Sequence, residues 1–581
     1  MVYSLAIIEI VLALGFIAIS GRIKKYPSNK WRLIYIFPVL LTVIIMSFIP
    51  WDIGMTGLYI APVIMALGLF SENLKAKRCI AGGAAAVALV TLINISVNPE
   101  YNRVNLYGDF EEVFASMEKH YILADEKGID WDELYNEYKP KFKEADKNQD
   151  LTQNYQIWQQ YAQEFYDGHV GYVPNKLDEK QMLSVMCESY GNDYGLSLIK
   201  LSTGEYAAVN VEGCGQSYSI NDKDDIGEID YFKVKDEYKT ANADTDRLTL
   251  VNAGIKNGTI ITKWDGKAID DYFDDIPFYY FQVPVKENEE FYQPVYVAGM
   301  GGDLVEISFL DGEGNEKTVT APKLGAYAPR LDNTITSIDK GVKMTNLTWK
   351  SLSDDTVMIR IYSMAYDMNT YDGVDYSEMT NRLREEVLAY KEAGIKNIVF
   401  DLRSNSGGSP FMVQGVAQLF APEGEHTTYY AARINEDTAT FERGADGKYI
   451  KEDEMITYQG EDLWHDGQII LLVNAQTVSA GDDMVYMMGD YPNVKIMGTT
   501  RSNNSCQAVQ GVGISTGHFT FSVVPNLTEE GDIAIDTLTD HKARVPFDEY
   551  IPMTKELITS VFDNGEDYIL KYASEHQTEI H

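Results

Sequence analysis

From Thr348 to Met497 the chain alternates strand-like and helix-like runs. They are Val357 to Ile361, Tyr376 to Ala393, Ile398 to Leu402, Phe411 to Phe420, Gln468 to Val473, about Ala480 to Asp490, and Val494 to Met497. Such alternation predicts βαβ units and a largely parallel sheet, whose ligand sites lie at the carboxyl ends of the strands. Two strands end there in turns of small residues. Ile398-Val-Phe-Asp-Leu runs into Arg403-Ser-Asn-Ser-Gly407-Gly408-Ser, where glycines let backbone amides face a cavity. Ile469-Ile-Leu-Leu-Val runs into Asn474-Ala-Gln-Thr-Val-Ser479-Ala480-Gly481, which sets a serine at a strand-to-helix turn. A nucleophile there is exposed, and the amides that follow it favour a developing anion. Taken alone, a serine at a helix start is commonly an N-cap.

Ahead of this region, Tyr107 to about Phe165 repeats apolar residues at helical spacing, as in Phe110, Val113, Phe114 and Met117, and reads as a small helical cap. Tyr194 to about Pro322 holds short β-rich runs between glycine-containing turns, the pattern of a small β domain, with an acidic insertion near Ser219 to Asp246.

Four apolar runs precede both: Tyr3 to Ser20, Leu33 to Ile49, Gly57 to Phe70 and Cys79 to Val97. Each is near the ~20 residues that span hydrocarbon, the third being short enough to be re-entrant instead. Arg22, Lys24, Lys25, Lys30 and Arg32 fill the first connection and Lys75, Lys77 and Arg78 the third, whereas Pro50 to Thr56 holds no cation. Basic loops stay cytoplasmic, so the expected topology is a multi-pass cell-membrane protein in contact with the lipid bilayer, its N-terminus and catalytic region outside. Met1-Val-Tyr-Ser lacks the basic segment of a cleaved signal peptide. Glu9, inside the first run, reads as an interfacial or bundle-paired carboxylate.

Residues up to Glu100 carry eight basic and four acidic side chains, so the net charge of -38 is concentrated in the rest of the chain. A surface of that sign repels phosphate backbones, which excludes nucleic acid as a partner. Cys187, Cys214 and Cys506 lie at wide spacing with no CxxC, so no metal site is expected and a Cys187–Cys214 disulfide is left open. Asp146-Lys-Asn148-Gln-Asp150 begins like a calcium loop but has Leu151 where glycine is needed, and Asp222-Lys-Asp224 ends at Lys233 instead of glutamate. No cofactor motif stands elsewhere.

Five segments, in order, resemble the carboxyl-terminal processing (tail-specific) serine protease family and its tricorn-like branch. They are Tyr166-Asp-Gly-His169-Val, the small β domain, Asp401-Leu-Arg-Ser-Asn-Ser-Gly-Gly, Thr477-Val-Ser-Ala-Gly, and Arg544-Val-Pro-Phe-Asp548 with Gly565-Glu-Asp-Tyr-Ile-Leu. The resemblance implies Ser479 as nucleophile and an oxyanion hole from the N–H groups of Gly408 and Ala480. Tail-specific members use a lysine about 25 residues beyond the serine, but Asn504 falls there. The tricorn-like branch uses a histidine that matches His169, a suitable base near neutral pH. The acid that holds the imidazole falls among Asp536, Asp540 and His541, with Asp540 chosen; Gly168 stands where tricorn relatives have serine. The β domain resembles a PDZ domain, with Tyr194, Gly195, Leu196 and Ser197 as its peptide-binding loop and strand.

The expected fold class is an α-helical membrane region plus an extracytoplasmic α/β (α+β) peptidase. Its parts are four spans over 1–98, a helical cap over 99–185, a PDZ-like domain with insertion over 186–325 and a βαβ serine peptidase core over 326–581. The expected function is a membrane-anchored serine endopeptidase acting on protein or peptide tails; the alternative is a peptide-binding scaffold that kept the fold without efficient hydrolysis.

Overall fold

The computed structural model describes residues 73–97, 104–175, 185–186, 188–215, 248–339, 347–365 and 376–576 apart from 436, 438 and 439, together with a few isolated positions before residue 68. The chain divides into two units, Met1–Asn105 and Leu106–His581.

In the first unit α1 (Leu74–Val97) carries the last of the four apolar runs. No helix among the described residues is long and apolar enough to cross a membrane. This corrects the expected four-span anchor, its contact with lipid, the multi-pass location and the membrane part of the fold class. The apolar run Cys79 to Val97 does not form a helix of its own. It continues a helix that begins five residues earlier and takes Lys75, Lys77 and Arg78 into its first turns, while Gly82, Gly83 and a run of alanines dilute the apolar content beyond. Thr91 bonds back to the Val87 carbonyl at 2.9 Å, as a polar side chain does inside a helix. The runs Tyr3 to Ser20, Leu33 to Ile49 and Gly57 to Phe70 lie outside the described residues save for those isolated positions. The expected extracytoplasmic placement rested on the spans and falls with them.

The second unit opens with α2 (Leu106–His120), α3 (Trp131–Asn148) and α4 (Leu151–Gln163). Asp130 and Asp150 cap α3 and α4 by accepting the N–H of Glu133 and Gln153, which satisfies orphan donors of the first turn. Phe110, Phe142, Trp158 and Tyr161 pack their rings at the centre of this cap. Then β1 (Gly171–Pro174) leaves the cap to pair, much later in the chain, with the core.

The small β domain is an antiparallel sheet of β2 (Ser197–Lys200), β3 (Tyr206–Val209), β4 (Ile260–Trp264), β5 (Leu304–Leu310) and β6 (Glu316–Pro322) in that order, with α5 (Lys286–Val297) preceding β5. A buried Arg330 ties it together by bonding Asp193 and Glu212, both at 2.7 Å. α6 (Ala328–Ile338) carries that arginine.

The core alternates as the sequence predicts: β7 (Thr348–Ser351), β8 (Thr356–Arg360), α7 (Tyr376–Glu392), β9 (Asn397–Asp401), α8 (Pro410–Phe420), β10 (Gly424–Ala432), β11 (Lys451–Gly460), β12 (Gln468–Val473), α9 (Ala480–Met488) and β13 (Val494–Gly498). β14 (Ala508–Gly513) and β15 (Gly517–Val524) form a three-stranded sheet with β1, and β16 (Glu549–Tyr550) joins the main sheet, whose order is β16-β13-β12-β9-β8-β7. From β8 to β16 neighbouring strands run parallel. Every residue of β12 is buried, which is why that strand reads as an unbroken apolar run instead of an alternating one.

One ion network fixes the carboxyl end of β9. Asp401 and Arg403 are both fully buried; the Arg403 guanidinium donates to Asp401 through Nε and Nη2, each at 2.8 Å, and to Asp567 at 3.0 and 2.7 Å. Arg360 adds a second cation on Asp401 at 2.9 Å. Asp567 also caps α10 (Tyr568–Glu575), so the C-terminal helix is anchored to the same strand end. Removing one member leaves buried charge without a partner. Asp401→Asn is therefore expected to destabilise the unit by about 3–5 kcal/mol in denaturant unfolding, while the same change at the exposed Asp532 shifts stability by less than ~1 kcal/mol.

Candidate active site

Ser479 follows the loop that leaves β12 and stands as the residue before α9, with φ 60° and ψ -128°. A positive φ at a non-glycine residue costs on the order of 1–3 kcal/mol and persists only where its surroundings hold it. The holders are identifiable. Its N–H donates to the Ser505 carbonyl at 2.8 Å, its carbonyl accepts from Asp483, and the preceding Val478 N–H donates to the Asn405 carbonyl at 2.9 Å. Its hydroxyl makes no capping bond. The ordinary use of a serine at a helix start is absent, and Oγ is free for other work.

Opposite lies the turn after β9. Asn405 accepts from the Gly407 N–H at 2.9 Å and donates to the Ile361 carbonyl at 2.7 Å, both buried. Gly407 has φ 86° and Gly408 φ 142°, values open to glycine without strain. A Cβ on Gly407 would collide with the Ser479 side chain, and one on Gly408 with the Met364 backbone. The pair Met364 N–H to Gly407 O at 2.8 Å and Ser409 N–H to Met364 O at 2.7 Å uses the amides on either side of Gly408. Among the described residues the N–H groups of Gly408 and Ala480 bond no other group of the chain. Ala480 opens α9, where the helix dipole adds to the preference for an anion.

His169 follows the end of the cap. Its backbone N–H bonds Asp167 Oδ1 at 2.8 Å, and its carbonyl takes the Thr520 hydroxyl at 3.0 Å. The imidazole Nδ1 is buried with no hydrogen-bond partner. Burial lowers the imidazole pKa, and the Asp167 charge opposes that in part. No hydrogen bond joins the imidazole to Ser479 Oγ in this structure. The two residues are linked through Ser505, whose Oγ accepts the Gly168 N–H at 2.7 Å and whose carbonyl holds Ser479. At Gly168 a Cβ would collide with Asn503 Oδ1, so the chain has no space for the serine of tricorn relatives.

The three carboxylate and histidine candidates separate clearly. Asp540 is exposed on a turn, where the Lys542 N–H and Arg544, paired with it at 2.8 Å, hold its carboxyl low. His541 stacks on Tyr166 at 3.8 Å between centroids. Asp536 is fully buried, accepts from the Cys506 N–H at 3.2 Å and from the Gln507 side chain at 2.8 Å, and leaves Oδ1 without a partner. Burial and the neighbouring Asp167 charge raise its pKa, and buried Lys127 opposes the rise. Asp167 itself receives the hydroxyls of Tyr121 and Ser522. Spacing alone does not distinguish Asp536 from Asp540; its flanking Ile535 and Thr537, both fully buried, are the signal that does.

Asn504 is a structural clamp. It is buried at φ 60°, its Oδ1 accepts the backbone N–H groups of Arg544 and Val545, and its amide donates to Ser502. Asp482, one turn into α9, is fully buried; burial pushes it up to about 8 against hydrogen bonds from Ser502, Ser505 and Asn504. Nearby Asp483 accepts from Tyr429 and from Cys506 Sγ at 2.6 Å. Among the described residues no group of His, Cys, Asp and Glu is arranged to hold a metal ion.

The expected peptide-reading segment is already engaged. Tyr194 donates to the Gly302 carbonyl at 2.6 Å, the Gly195 N–H to Asp193 at 2.8 Å, and Ser197 shares a hydrogen bond with Tyr327 at 2.7 Å. Leu196 is fully buried. A cavity of about 570 Å³ opens instead farther along β2, lined by Leu201, Phe291 of α5, Thr499 and Thr500 beyond β13, and Ile551 and Met553 beyond β16. Thr500 accepts the Ala475 N–H at 2.8 Å, which connects this cavity to the loop that carries Ser479.

Residues 355–522 match the family model Peptidase family S41, and residues 106–154 match Tricorn protease C1 domain. The chain is a serine-type peptidase with a fold of the S41/tricorn type. Similar solved structures include mature CPAF complexed with lactacystin, 11% identical, covering 81% of this chain and 97% of that one at a TM-score of 0.48. A Parabacteroides merdae structure described as a peptidase is 15% identical over 81% and 96% of the two chains at 0.38. The tricorn protease is 12% identical over 81% of this chain and 36% of that chain at 0.30. No curated protein matches.

Two pH effects follow. Burial keeps the His169 imidazole neutral to lower pH, so its titration followed by NMR is expected below the ~6.5 of free imidazole. Asp482 binds its proton more tightly folded than unfolded, so its contribution is present at low pH and is lost as pH rises through about 8. The melting temperature of the wild-type protein is expected to fall across that range, and Asp482→Asn to flatten the fall.

Proposed function

We propose that the chain hydrolyses peptide bonds with Ser479 as nucleophile and His169 as general base. The observation that carries this reading is the uncapped Ser479 hydroxyl at a strained turn, beside two N–H groups, of Gly408 and Ala480, that bond nothing else among the described residues. Ser479 Oγ attacks the scissile carbonyl carbon while the imidazole takes its proton. The carbonyl oxygen, now negative, is held by the two amides; a preorganised donor of this kind is worth about 3 kcal/mol to the transition state. The imidazolium then protonates the leaving amine as the C–N bond breaks. Water, deprotonated by the same imidazole, hydrolyses the acyl-enzyme and returns the proton to Ser479.

Asp167 and Asp536 stand in for the surface Asp540 as the acids behind the base. Asp167 supplies negative charge toward the imidazolium. The orphaned Asp536 Oδ1 and His169 Nδ1 are both buried near it, a polar setting in which a bridging water is stable. The missing Oγ–imidazole hydrogen bond is compatible with this role, because such contacts often tighten only with substrate bound. The substrate is a polypeptide chain.

The test is covalent labelling by a fluorophosphonate, read by intact mass. Wild-type protein is expected to gain one adduct, and Ser479→Ala none. His169→Ala is expected to slow labelling by about 10²–10⁴. Labelling that persists in Ser479→Ala, or a rate unchanged in His169→Ala, contradicts the assignment.

A further inference from the structure

We infer that Ser505 is a positioning residue that locks the nucleophile and the base into one register, an inference that rests on the Ser479–His169 reading. Ser505 has three polar groups, and each goes to a different part of the site. Its N–H donates to Asp482 Oδ2 at 3.0 Å, its Oγ accepts the Gly168 N–H at 2.7 Å, and its carbonyl accepts the Ser479 N–H at 2.8 Å. The residue is completely buried, so water cannot replace any of the three bonds. The first anchors Ser505 to α9, the third sets the strained φ of Ser479, and the second pins the residue immediately before His169.

Cap and core approach this point as closely as the backbone allows. A Cβ on Gly168 would collide with Asn503 and press on the Ser505 Cβ, and Asn503 cannot yield because its amide donates to the carbonyls of Gln282 and Ala475. His169 reaches the core from a segment more than 300 residues away from Ser479 in sequence, and the Ser505 hydroxyl is a direct polar tie between the two. The neighbouring Asn504 clamp at Arg544 and Val545 holds Ser505 from the other side. The position where tail-specific relatives keep a lysine base thus belongs here to a loop that positions a histidine base instead.

The hydroxyl is separated from packing by an isosteric pair. Ser505→Thr keeps Oγ and Ser505→Val replaces it by a methyl of the same shape; Ser505→Ala removes it with no added bulk. The readouts are the fluorophosphonate labelling rate at Ser479, its pH profile, and near-ultraviolet circular dichroism to confirm folding. Ser505→Val and Ser505→Ala are expected to label about tenfold or more slowly than Ser505→Thr, since a misplacement near 1 Å is enough for such a loss. In Ser505→Ala the acid limb is expected to rise toward the free imidazole value as His169 loses its buried setting.

Equal rates in folded Ser505→Thr and Ser505→Val, or a wild-type rate and acid limb in Ser505→Ala, overturn the positioning role and leave the peptidase reading intact. If Ser505→Thr and Ser505→Val both fail to fold, Ser505→Ala alone decides by its rate and limb. Absence of labelling in folded wild-type protein overturns both readings together.

Discussion

The Gly407–Gly408 turn and the Ser479 turn press against each other with no room for a single added carbon. That contact determines much of the rest. It requires glycine at Gly407, as the nearby Met364 backbone does at Gly408, and it packs the first turn on a Ser479 whose backbone conformation L-residues avoid. Neither turn is rigid alone. The first is fixed from below by the buried Asp401–Arg403–Asp567 network and by Asn405, the second by Asn405 and Ser505. Strain stored at Ser479 is therefore offset by ion pairs and hydrogen bonds in the strand ends beneath it.

The core was legible because parallel strands covered on both faces have no polar side to show. Ile398 to Phe400 and Ile469 to Val473 announce themselves as apolar runs without alternation, and the small residues after these strands mark where backbone must approach backbone. The proposal of Ser479 and His169 rests on the two together, through the order of the segments around them. An isolated serine before a helix predicts a cap, and here the hydroxyl makes none.

Other features lay beyond sequence pattern for definite physical reasons. Asp536 and Asp540 are four residues apart and chemically equal, and only burial separates Asp536 from the surface ion pair that Asp540 makes with Arg544. The Tyr194 to Ser197 segment has the look of a peptide loop, and the Tyr194 and Ser197 hydroxyls and the Gly195 N–H are bonded to Gly302, Tyr327 and Asp193. The apolar run Cys79 to Val97 has nearly the length of a span, but helix boundaries do not follow hydropathy, and α1 draws three cations into its first turns. Ser505 carries no sequence signal at all. Its role depends on three bonds to segments that meet only in the folded chain.

The central claim is that the two amides and the imidazole converge on Ser479 Oγ. A crystal structure of the protein phosphonylated by a peptidyl diphenylphosphonate tests it most directly. The account predicts phosphorus bonded to Ser479 Oγ, a phosphonyl oxygen about 2.7–3.1 Å from the nitrogens of both Gly408 and Ala480, and His169 within hydrogen-bond reach of the adduct. An adduct on another residue, or a phosphonyl oxygen turned away from both amides, would contradict it.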